Sequence, residues 1–327
     1  MSKITVLHLV DDTTAGGVMR MLDHLAQLPE LADEVHQEVR PVKRTAFSWG
    51  SFDADVIVCH IAPGWRCLPA FSALRAMHPT TRLVHVEHSY TRSFTALNVP
   101  HKRRFFAMLR VTYSLFDQVI AVSKAQAGWM AERRLAPASK LSVISPQVDL
   151  SAVARAAGPV EAARVIGAIG RLEPQKGFDL LIEGFRMCPN PDARLVIFGE
   201  GSQRDRLAAL AAGDRRIEFR GHADDPAEAY RAVDVVAMPS RWEAYGLVAD
   251  EARAARRPVI VSMVDGLRDR IGASGVIPCG SDPKAWRKSI EAILAGTPPV
   301  VPVLAPKADR SRYAQRWQQV FDPAKRL

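Results

Sequence analysis

The stretch MPSRWEAYGLVADEARAARRPVIVS, residues 238–262, carries the clearest signal of the fold of this chain. It begins at the end of a hydrophobic run, VDVVAM, passes through a polar loop and a helical segment, and ends in a second hydrophobic run, PVIVS. Strand, loop, helix and strand in this order predict a βαβ unit of a parallel sheet. Backbone N–H groups at the junction of loop and helix lack partners, so the junction favours a phosphate group.

Two carboxylates in this stretch, Glu243 and Glu251, stand eight residues apart. A lone pair with this spacing is usually two solvated helix carboxylates. The surrounding PSRWEAYGLVADEA, however, resembles the loop P-S-x-x-E-x-[FY]-G-[LI]-x-x-x-E-A of retaining GT-B glycosyltransferases, family 4 in particular. The resemblance implies that Glu243 lies near the donor sugar and that Glu251 accepts two hydrogen bonds from the ribose diol of the nucleotide. The residues between them that would line the nucleotide site are Tyr245, Gly246, Leu247 and Val248.

Two positions depart from the family pattern. Arg256 stands where the family usually has glycine, just before the second strand. A glycine there permits a helix C-cap with positive φ, so the arginine puts the local turn geometry in question. Asp265 replaces the first glycine of the family's G-G-L turn.

The segment GRLEPQKGFD, residues 170–179, is similar to the diphosphate-binding motif G-R-L-x-x-x-K-G-x-D of the same family. The match implies that Arg171 and Lys176 neutralise the charge that develops on a departing nucleoside diphosphate. Both could instead be solvated loop charges, an alternative that the neighbouring glycines and the downstream match disfavour. The resemblance adds four nucleotide-binding positions in two further turns: Gly199, Glu200, Gly221 and His222.

The first half of the chain matches the family more weakly. A strand at 4–10 is followed by Gly16 and Gly17, which resemble the family's G-G loop beneath the donor diphosphate. A simple tight turn explains the two glycines equally well. The G-x-G-x-x-G fingerprint is absent from the sequence, which weighs against a nicotinamide-dependent oxidoreductase.

Histidines lie at the ends of two predicted strands, His60 at the end of 53–61 and His88 directly after 82–87. A histidine at such a position is more often a packed side chain than a catalyst. The family commonly has a histidine facing the donor sugar at the position of His88, and the resemblance therefore implies a catalytic role for it. Asp53 and Asp55 spell the metal motif D-x-D, but they open a strand instead of closing one, which favours a structural role.

Residues 101–116, HKRRFFAMLRVTYSLF, interleave basic and apolar side chains. As a helix, this segment could lie on an anionic membrane surface, or it could pack its apolar face in the core and leave its charges in water. Both interpretations stay open from the sequence.

Composition limits the remaining possibilities. The 327 residues suffice for two domains, and the 48% hydrophobic fraction argues against disorder. Four scattered cysteines, with no C-x-x-C pair and no signal peptide, predict a reducing, cytoplasmic location, with the inner face of the cell membrane as a peripheral alternative. The net charge of +9 is accompanied by no nucleic-acid-binding motif, so we expect anionic nucleotide donors and lipid as partners, and no nucleic acid.

The sequence therefore predicts an α/β fold of the GT-B type, two Rossmann-like domains with parallel sheets facing across a cleft. We expect an N-terminal acceptor domain at 1–155, joined by a C-terminal helix at 309–327, and a nucleotide-sugar-binding domain at 156–308. The expected activity is metal-independent, retaining transfer of a sugar from a UDP- or GDP-sugar, UDP being favoured, to a lipid or a growing surface glycan. No cofactor or metal is expected. A catalytically silent GT-B subunit or nucleotide-sugar-binding protein is the alternative.

Overall fold

The computed structural model describes residues 3–14, 16–156, 158–303, 306–322 and 324. The chain forms two compact units, Met1–Asp149 with Ala305–Leu327 and, separately, Leu150–Leu304. The boundary lies a few residues before the one that the Ala-rich stretch suggests. The reason is that residues 151–156 form a helix whose Val153 is buried in the core of the second unit.

The first unit is built on six parallel strands in the order β2-β1-β3-β4-β5-β6. The strands are β1 (Ile4–Val10), β2 (Val35–Pro41), β3 (Val56–Cys59), β4 (Arg82–Glu87), β5 (Gln118–Ala121) and β6 (Leu141–Val143). The helices are α1 (Gly17–Ala26), α2 (Pro29–Ala32), α3 (Leu68–Met77), α4 (Arg92–Asn98), α5 (Lys102–Ser114) and α6 (Lys124–Glu132). The central strands β3 and β4 are buried along their whole length, as in a sheet covered by helices on both faces.

The second unit repeats this plan with the strand order β12-β11-β10-β7-β8-β9. Its strands are β7 (Val165–Ile169), β8 (Arg194–Phe198), β9 (Ile217–Gly221), β10 (Val235–Met238), β11 (Val259–Ser262) and β12 (Val276–Cys279). Its helices are α7 (Ser151–Ala156), α8 (Phe178–Arg186), α9 (Arg204–Ala211), α10 (Pro226–Arg231), α11 (Leu247–Ala254) and α12 (Pro283–Ala295), with short 3-10 turns at Pro174–Lys176 and Asp265–Arg270. The βαβ unit predicted from residues 238–262 is β10-α11-β11.

The last helix, α13 (Pro306–Phe321), packs against the first unit. The Arg82 guanidinium donates from Nε to the carbonyl oxygen of Val320 over 2.9 Å, and Arg310 pairs with Glu30 at 3.0 Å. Trp317 is buried in the same contact. Within the described part of the chain, none of the helices has the length and apolar character needed to cross a membrane.

One strand, β2, is missing from the sequence prediction. It lies at the edge of the sheet, and only Val35 of its seven residues is buried. An edge strand exposed in this way carries no hydrophobic run or clear alternation. Its presence matters because it makes β1 an interior strand, flanked by β2 on one side and β3 on the other. Nearby, Asp55 accepts a hydrogen bond from the Thr5 N–H at 2.8 Å, as the structural interpretation of the D-x-D pair predicts.

The turn after α11 keeps a left-handed residue despite the loss of glycine. Arg256 has φ 59°, and two backbone hydrogen bonds close the turn, from Arg256 N–H to Arg253 O and from Arg257 N–H to Ala252 O. This bonding is the Schellman pattern of a helix C-terminus. The question raised by the arginine is thereby answered: the turn geometry is retained, at the cost of a strained residue.

Replacing Arg256 by glycine should therefore stabilise the protein. A non-glycine residue in this conformation costs about 1 kcal/mol, and Arg256 Nε is buried with no hydrogen-bond partner among the described residues. We expect Arg256→Gly to raise the free energy of unfolding in urea by about 1 kcal/mol. The matched control Arg256→Ala removes the same side chain but keeps the positive φ. A glycine variant no more stable than the alanine variant would contradict the strain.

Candidate functional site

Two loops meet at the carboxyl ends of β7 and β10 in the second unit. These strands are neighbours in the sheet, yet chain order runs outward from β7 in both directions, so the point between them is a topological switch. Ligands of open parallel sheets bind outside such points. The Arg241 N–H donates to Gln175 O over 2.8 Å, and Gln175 Nε2 donates to Trp242 O over 3.2 Å. The loops at 170–177 and 239–246 are thus joined backbone to backbone.

A bidentate ion pair reinforces this junction. Arg241 Nη1 and Nη2 donate to the two carboxylate oxygens of Asp179 over 2.8 and 2.7 Å, and Nη1 also reaches Pro174 O at 3.0 Å. Burial acts to raise the pKa of Asp179, but the hydrogen bonds and charge of Arg241 outweigh it, and the net effect is a lowered pKa. The fork fixes both ends of the short turn that carries Lys176.

The junction brings together two residues predicted from separate motifs. Lys176 Nζ donates to Glu243 Oε2 over 2.6 Å, although 67 positions separate them in the chain. Glu243 is only 8% exposed, and its N–H lies 3.3 Å from the Asp265 carboxylate. The ammonium group has three N–H donors, and Glu243 takes one of them. The arrangement can therefore direct further N–H groups of the same cation towards a bound anion.

Arg171 stands on a neighbouring turn that the glycines make possible. Gly170 N–H donates to Phe198 O over 3.0 Å, and Leu172 N–H donates to Glu200 O over 2.8 Å. A Cβ atom at Gly199, which has φ 130°, would lie 2.0 Å from Gly170 O, so only glycine fits there. Arg171 itself is exposed. Its guanidinium is presented to solvent beside this turn, where an anion can reach it.

The remaining predicted turn follows β9. The Gly199 N–H donates to Gly221 O over 2.6 Å, so the turns containing Gly199, Glu200 and Gly221 are brought together. His222, the next residue, is exposed. A Cβ atom at Gly221 would lie 2.8 Å from Glu200 Oε1, so a side chain at position 221 would crowd the Glu200 carboxylate.

The start of α11 is shaped by Gly246, Tyr245 and Arg270. Gly246 is the N-cap, with φ 88° and no side chain to cap the N–H groups of the first turn, which begins with Leu247 and Val248. The Arg270 guanidinium lies over the Tyr245 ring at 4.1 Å and donates to Asp250 at 2.8 Å. Burial raises the pKa of Tyr245, so its hydroxyl stays protonated. The loop is therefore fixed by side chains outside the motif.

Glu251 lies one turn further along α11. It is 3% exposed, and its Oε2 accepts a short hydrogen bond from the Tyr230 hydroxyl. The sequence predicts that this carboxylate binds a ribose diol. The structure adds a protein partner, Tyr230, that the sequence pattern does not reveal.

In the first unit, His88 belongs to a row of hydrogen-bonded histidines, two of which, His8 and His60, are buried. His60 Nδ1 lies 2.9 Å from His88 Nε2, and His60 Nε2 lies 3.0 Å from His8 Nδ1. His8 Nε2 lies 3.2 Å from Gln37 Oε1. Burial lowers the pKa of His8 and of His88 to about 4 and that of His60 well below its usual value, so the row is neutral at neutral pH.

The glycines after β1 stand at the start of α1. Gly16 is the N-cap of the helix and has extended backbone, φ −103°, which any residue can adopt. A Cβ atom there would meet nothing closer than Thr14 O at 3.8 Å. Neither a tight turn nor packing requires glycine at this position. What Gly16 and Gly17 contribute is a backbone without side chains at the start of α1.

Four residues that support the site escape sequence reasoning: Asp265, Arg270, Tyr230 and Arg241. Their partners are distant in the chain, and no spacing rule joins them. One signal was available in the sequence: Arg241 stands inside the motif at 238–262, and Asp179 stands inside the motif at 170–179. Within the described residues, no group of three or more His, Cys, Asp or Glu side chains could hold a metal ion.

Two family models match the chain in succession. Residues 17–152 match the model described as Glycosyltransferase Family 4, and residues 163–296 match the model described as Glycosyl transferases group 1. The second of these ranges falls within the second unit, and the first lies in the first unit except for residues 150–152.

The chain belongs to glycosyltransferase family 4.

Curated relatives agree with this membership. D-inositol 3-phosphate glycosyltransferase of Segniliparus rotundus is 33% identical over 204 residues, covering 55% of this chain and 44% of the relative. The enzyme of the same name from Geodermatophilus obscurus is 33% identical over 232 residues, covering 63% of this chain and 51% of the relative. The family 4 chain thus spans about half the length of the curated relatives that it matches.

Solved structures share the fold along nearly the whole chain. Anabaena HepE in complex with UDP and glucose superposes with a TM-score of 0.69 at 18% identity, covering 99% of this chain and all of HepE. Sucrose-phosphate synthase from Thermosynechococcus elongatus gives a TM-score of 0.72 at 18% identity, covering 98% and 96% of the two chains. The predicted GT-B fold, with two Rossmann-like units, is confirmed.

The loop junction of this family 4 chain should depend on Gly177. Gly177 has φ 65°, and a Cβ there would lie 2.1 Å from Pro239 O in the facing loop. We expect Gly177→Ala to lower the free energy of unfolding by several kcal/mol, because the loops must separate. Gly213, with φ 72° and open space around it, is the matched control; Gly213→Ala should cost about 1 kcal/mol. Equal losses in urea unfolding would show that the close approach is unimportant.

Proposed function

We propose that the family 4 chain is a retaining glycosyltransferase that needs no metal ion. It moves a sugar from a nucleoside diphosphate sugar to an acceptor hydroxyl. The donor binds at the switch point of the second unit, with its diphosphate against Lys176 and Arg171. The observation that supports this proposal best is the Lys176–Glu243 pair, because it joins a cation for the leaving group to a carboxylate for the sugar in one fixed geometry.

The chemistry follows from these positions. The bond between sugar C1 and the β-phosphate oxygen breaks through a transition state that resembles an oxocarbenium ion. Negative charge grows on the diphosphate, and the remaining N–H donors of Lys176 and the guanidinium of Arg171 stabilise it. Glu243 orients the sugar hydroxyls. The acceptor oxygen bonds to C1 from the same face, and its proton passes to the departing phosphate, so no protein nucleophile is needed.

Other residues would hold the rest of the donor. We propose that Glu251 binds the ribose diol, its second carboxylate oxygen remaining beside the Tyr230 hydroxyl. The first turn of α11, at Tyr245–Gly246–Leu247–Val248, would receive a phosphate oxygen. The turns at Gly199–Glu200 and Gly221–His222 would border the base. Gly16 and Gly17 are proposed as further nucleotide-binding positions.

We favour UDP as the nucleotide, since HepE, which has the same fold, is described in complex with UDP and with UDP-glucose. The acceptor is proposed to be a membrane lipid or a growing surface glycan. The relatives named D-inositol 3-phosphate glycosyltransferase suggest, as a further possibility to test, an acceptor that carries a phosphate group.

Removing either partner of the central pair should abolish most turnover. We expect Lys176→Met and Glu243→Gln each to lower turnover of the donor about a hundredfold or more, since each removes a contact made in the transition state. The measurement is release of the nucleoside diphosphate, after a thermal-shift screen of UDP-, GDP- and ADP-sugars selects the donor. A donor at a hundredfold its dissociation constant stabilises the folded state by about 2.7 kcal/mol.

The matched control is Lys288→Met, which removes an exposed lysine of α12 in the same unit. Near-normal turnover in both site variants would reject the proposed roles. A donor that stabilises the wild-type protein without being turned over would instead favour the silent-subunit alternative.

A peripheral membrane contact is proposed for the start of α5. Lys102, Arg103 and Arg104 are exposed there, whereas Met108 and Leu109 are buried in the core. The apolar face of the helix is therefore largely used for packing. The contact that we propose is accordingly electrostatic, between these three cations and anionic headgroups.

This contact predicts salt-sensitive sedimentation with vesicles that contain anionic lipid. Each basic residue near such a surface contributes about 1 kcal/mol, so the double change Lys102→Gln and Arg103→Gln should weaken binding about thirtyfold. The matched control changes the exposed Lys284 and Lys288 of α12 to glutamine. Binding that is absent, or equally weakened by both pairs, would leave α5 with a packing role alone.

A further inference from the structure

The histidine row of the first unit crosses four strands of the sheet in spatial order. Gln37 lies on β2, His8 on β1, His60 directly after β3 and His88 directly after β4. Val6 pairs with Gln37 and His8 pairs with Val58, so each member stands two residues further along its strand than the one before. A two-residue offset keeps all four side chains on one face of the sheet. The row is therefore a property of the sheet and not a chance cluster.

The hydrogen bonds of this row can run in only one direction. Gln37 Nε2 donates to Leu25 O over 3.3 Å, which leaves Oε1, an acceptor, facing His8 Nε2 at 3.2 Å. His8 must therefore carry its proton on Nε2 and accept with Nδ1. The same rule passes along the row, since a neutral imidazole has one donor and one acceptor nitrogen.

His60 is the next member. Its Nε2 donates to His8 Nδ1 over 3.0 Å, and its Nδ1 accepts from His88 Nε2 over 2.9 Å. His88 is left with a bare Nδ1, and it is the one histidine of the row that is not fully buried. An additional proton on Nδ1 of His8 or His60 would set two N–H groups against each other.

We propose that Gln37, His8 and His60 are positioning residues that hold His88 in the Nε2–H tautomer, so that its Nδ1 accepts a hydrogen bond from a hydroxyl of the sugar substrate. The inference rests on the proposed function only for the identity of that hydroxyl group. The inference limits the contacts that His88 can make. A bare nitrogen can accept a hydrogen bond from a sugar hydroxyl, but it has no proton to donate to a diphosphate oxygen.

The tautomers can be read directly, without activity, by 15N-histidine NMR of the full chain. Two-bond proton–nitrogen correlations distinguish a protonated ring nitrogen from a bare one. We expect His8, His60 and His88 all to be neutral with the proton on Nε2. In Gln37→Leu the acceptor at the end of the row is lost, and the ratio of the Nε2–H tautomer of His88 to its Nδ1–H tautomer should fall about fivefold. Gln319→Leu, at an exposed glutamine of α13 in the same unit, should leave it unchanged.

A second pair of variants guards against simple misfolding. In His60→Gln the amide can donate to His8 and accept from His88, so the bare Nδ1 of His88 should persist. In His60→Leu the direction is no longer set, and a proton should appear on Nδ1. The inference is overturned if His88 carries its proton on Nδ1 in the wild-type protein, or if Gln37→Leu and His60→Leu leave its tautomer unchanged.

UDP-glucose then tests the sugar contact. Its addition should shift the Nδ1 resonance of His88 in the wild-type protein and less in Gln37→Leu. If UDP-glucose stabilises the protein while that resonance stays in place, the sugar contact is overturned. If no nucleotide sugar binds at all, the proposed function fails, and the tautomer measurements still decide the positioning roles.

Discussion

The meeting of two loops at the switch point of the second sheet is the constraint on which the candidate site depends. Because β7 and β10 are adjacent and parallel, their carboxyl ends lie side by side, and the loops that follow must pass each other. The Arg241–Asp179 fork and the close approach of Gly177 to Pro239 fix that passage. Opposite charges from two motifs are thereby held in contact, with only 16% of the Lys176 side chain and 11% of the Glu243 side chain exposed.

The first unit uses the same geometry for a different chemistry. Its switch point lies between β1 and β3, where His8 and His60 stand, and the edge strand β2 supplies Gln37. The second unit places cations at its switch point, whereas the first places neutral imidazoles whose burial keeps them uncharged. Both sheets thus have the same layout, with chain order running outward from a central strand. At the switch point, one sheet carries charged side chains and the other carries neutral hydrogen-bonding side chains.

The two departures from the family pattern change the residue type at a turn but leave the backbone conformation and the fold as they are. Arg256 and Asp265 stand where glycine is usual, and both adopt positive φ, 59° and 37°. The hydrogen bonds of their turns are kept, since neighbouring elements fix both ends of each turn. Local strain of this kind persists where the surrounding structure over-determines it. The two carboxylates of the motif, Glu243 and Glu251, are both buried.

Hydrophobic runs and short motifs are local signals, and they were enough to predict the two parallel sheets, most strand positions and the motif residues Lys176, Arg171 and Glu243. Tertiary structure alone decided which of them touch. The Lys176–Glu243 pair joins positions far apart in the chain, and the histidine row needs β2, whose exposed edge carries no hydrophobic pattern. Contacts of that kind depend on strand order and register, and neither is written in the spacing of residues along one segment.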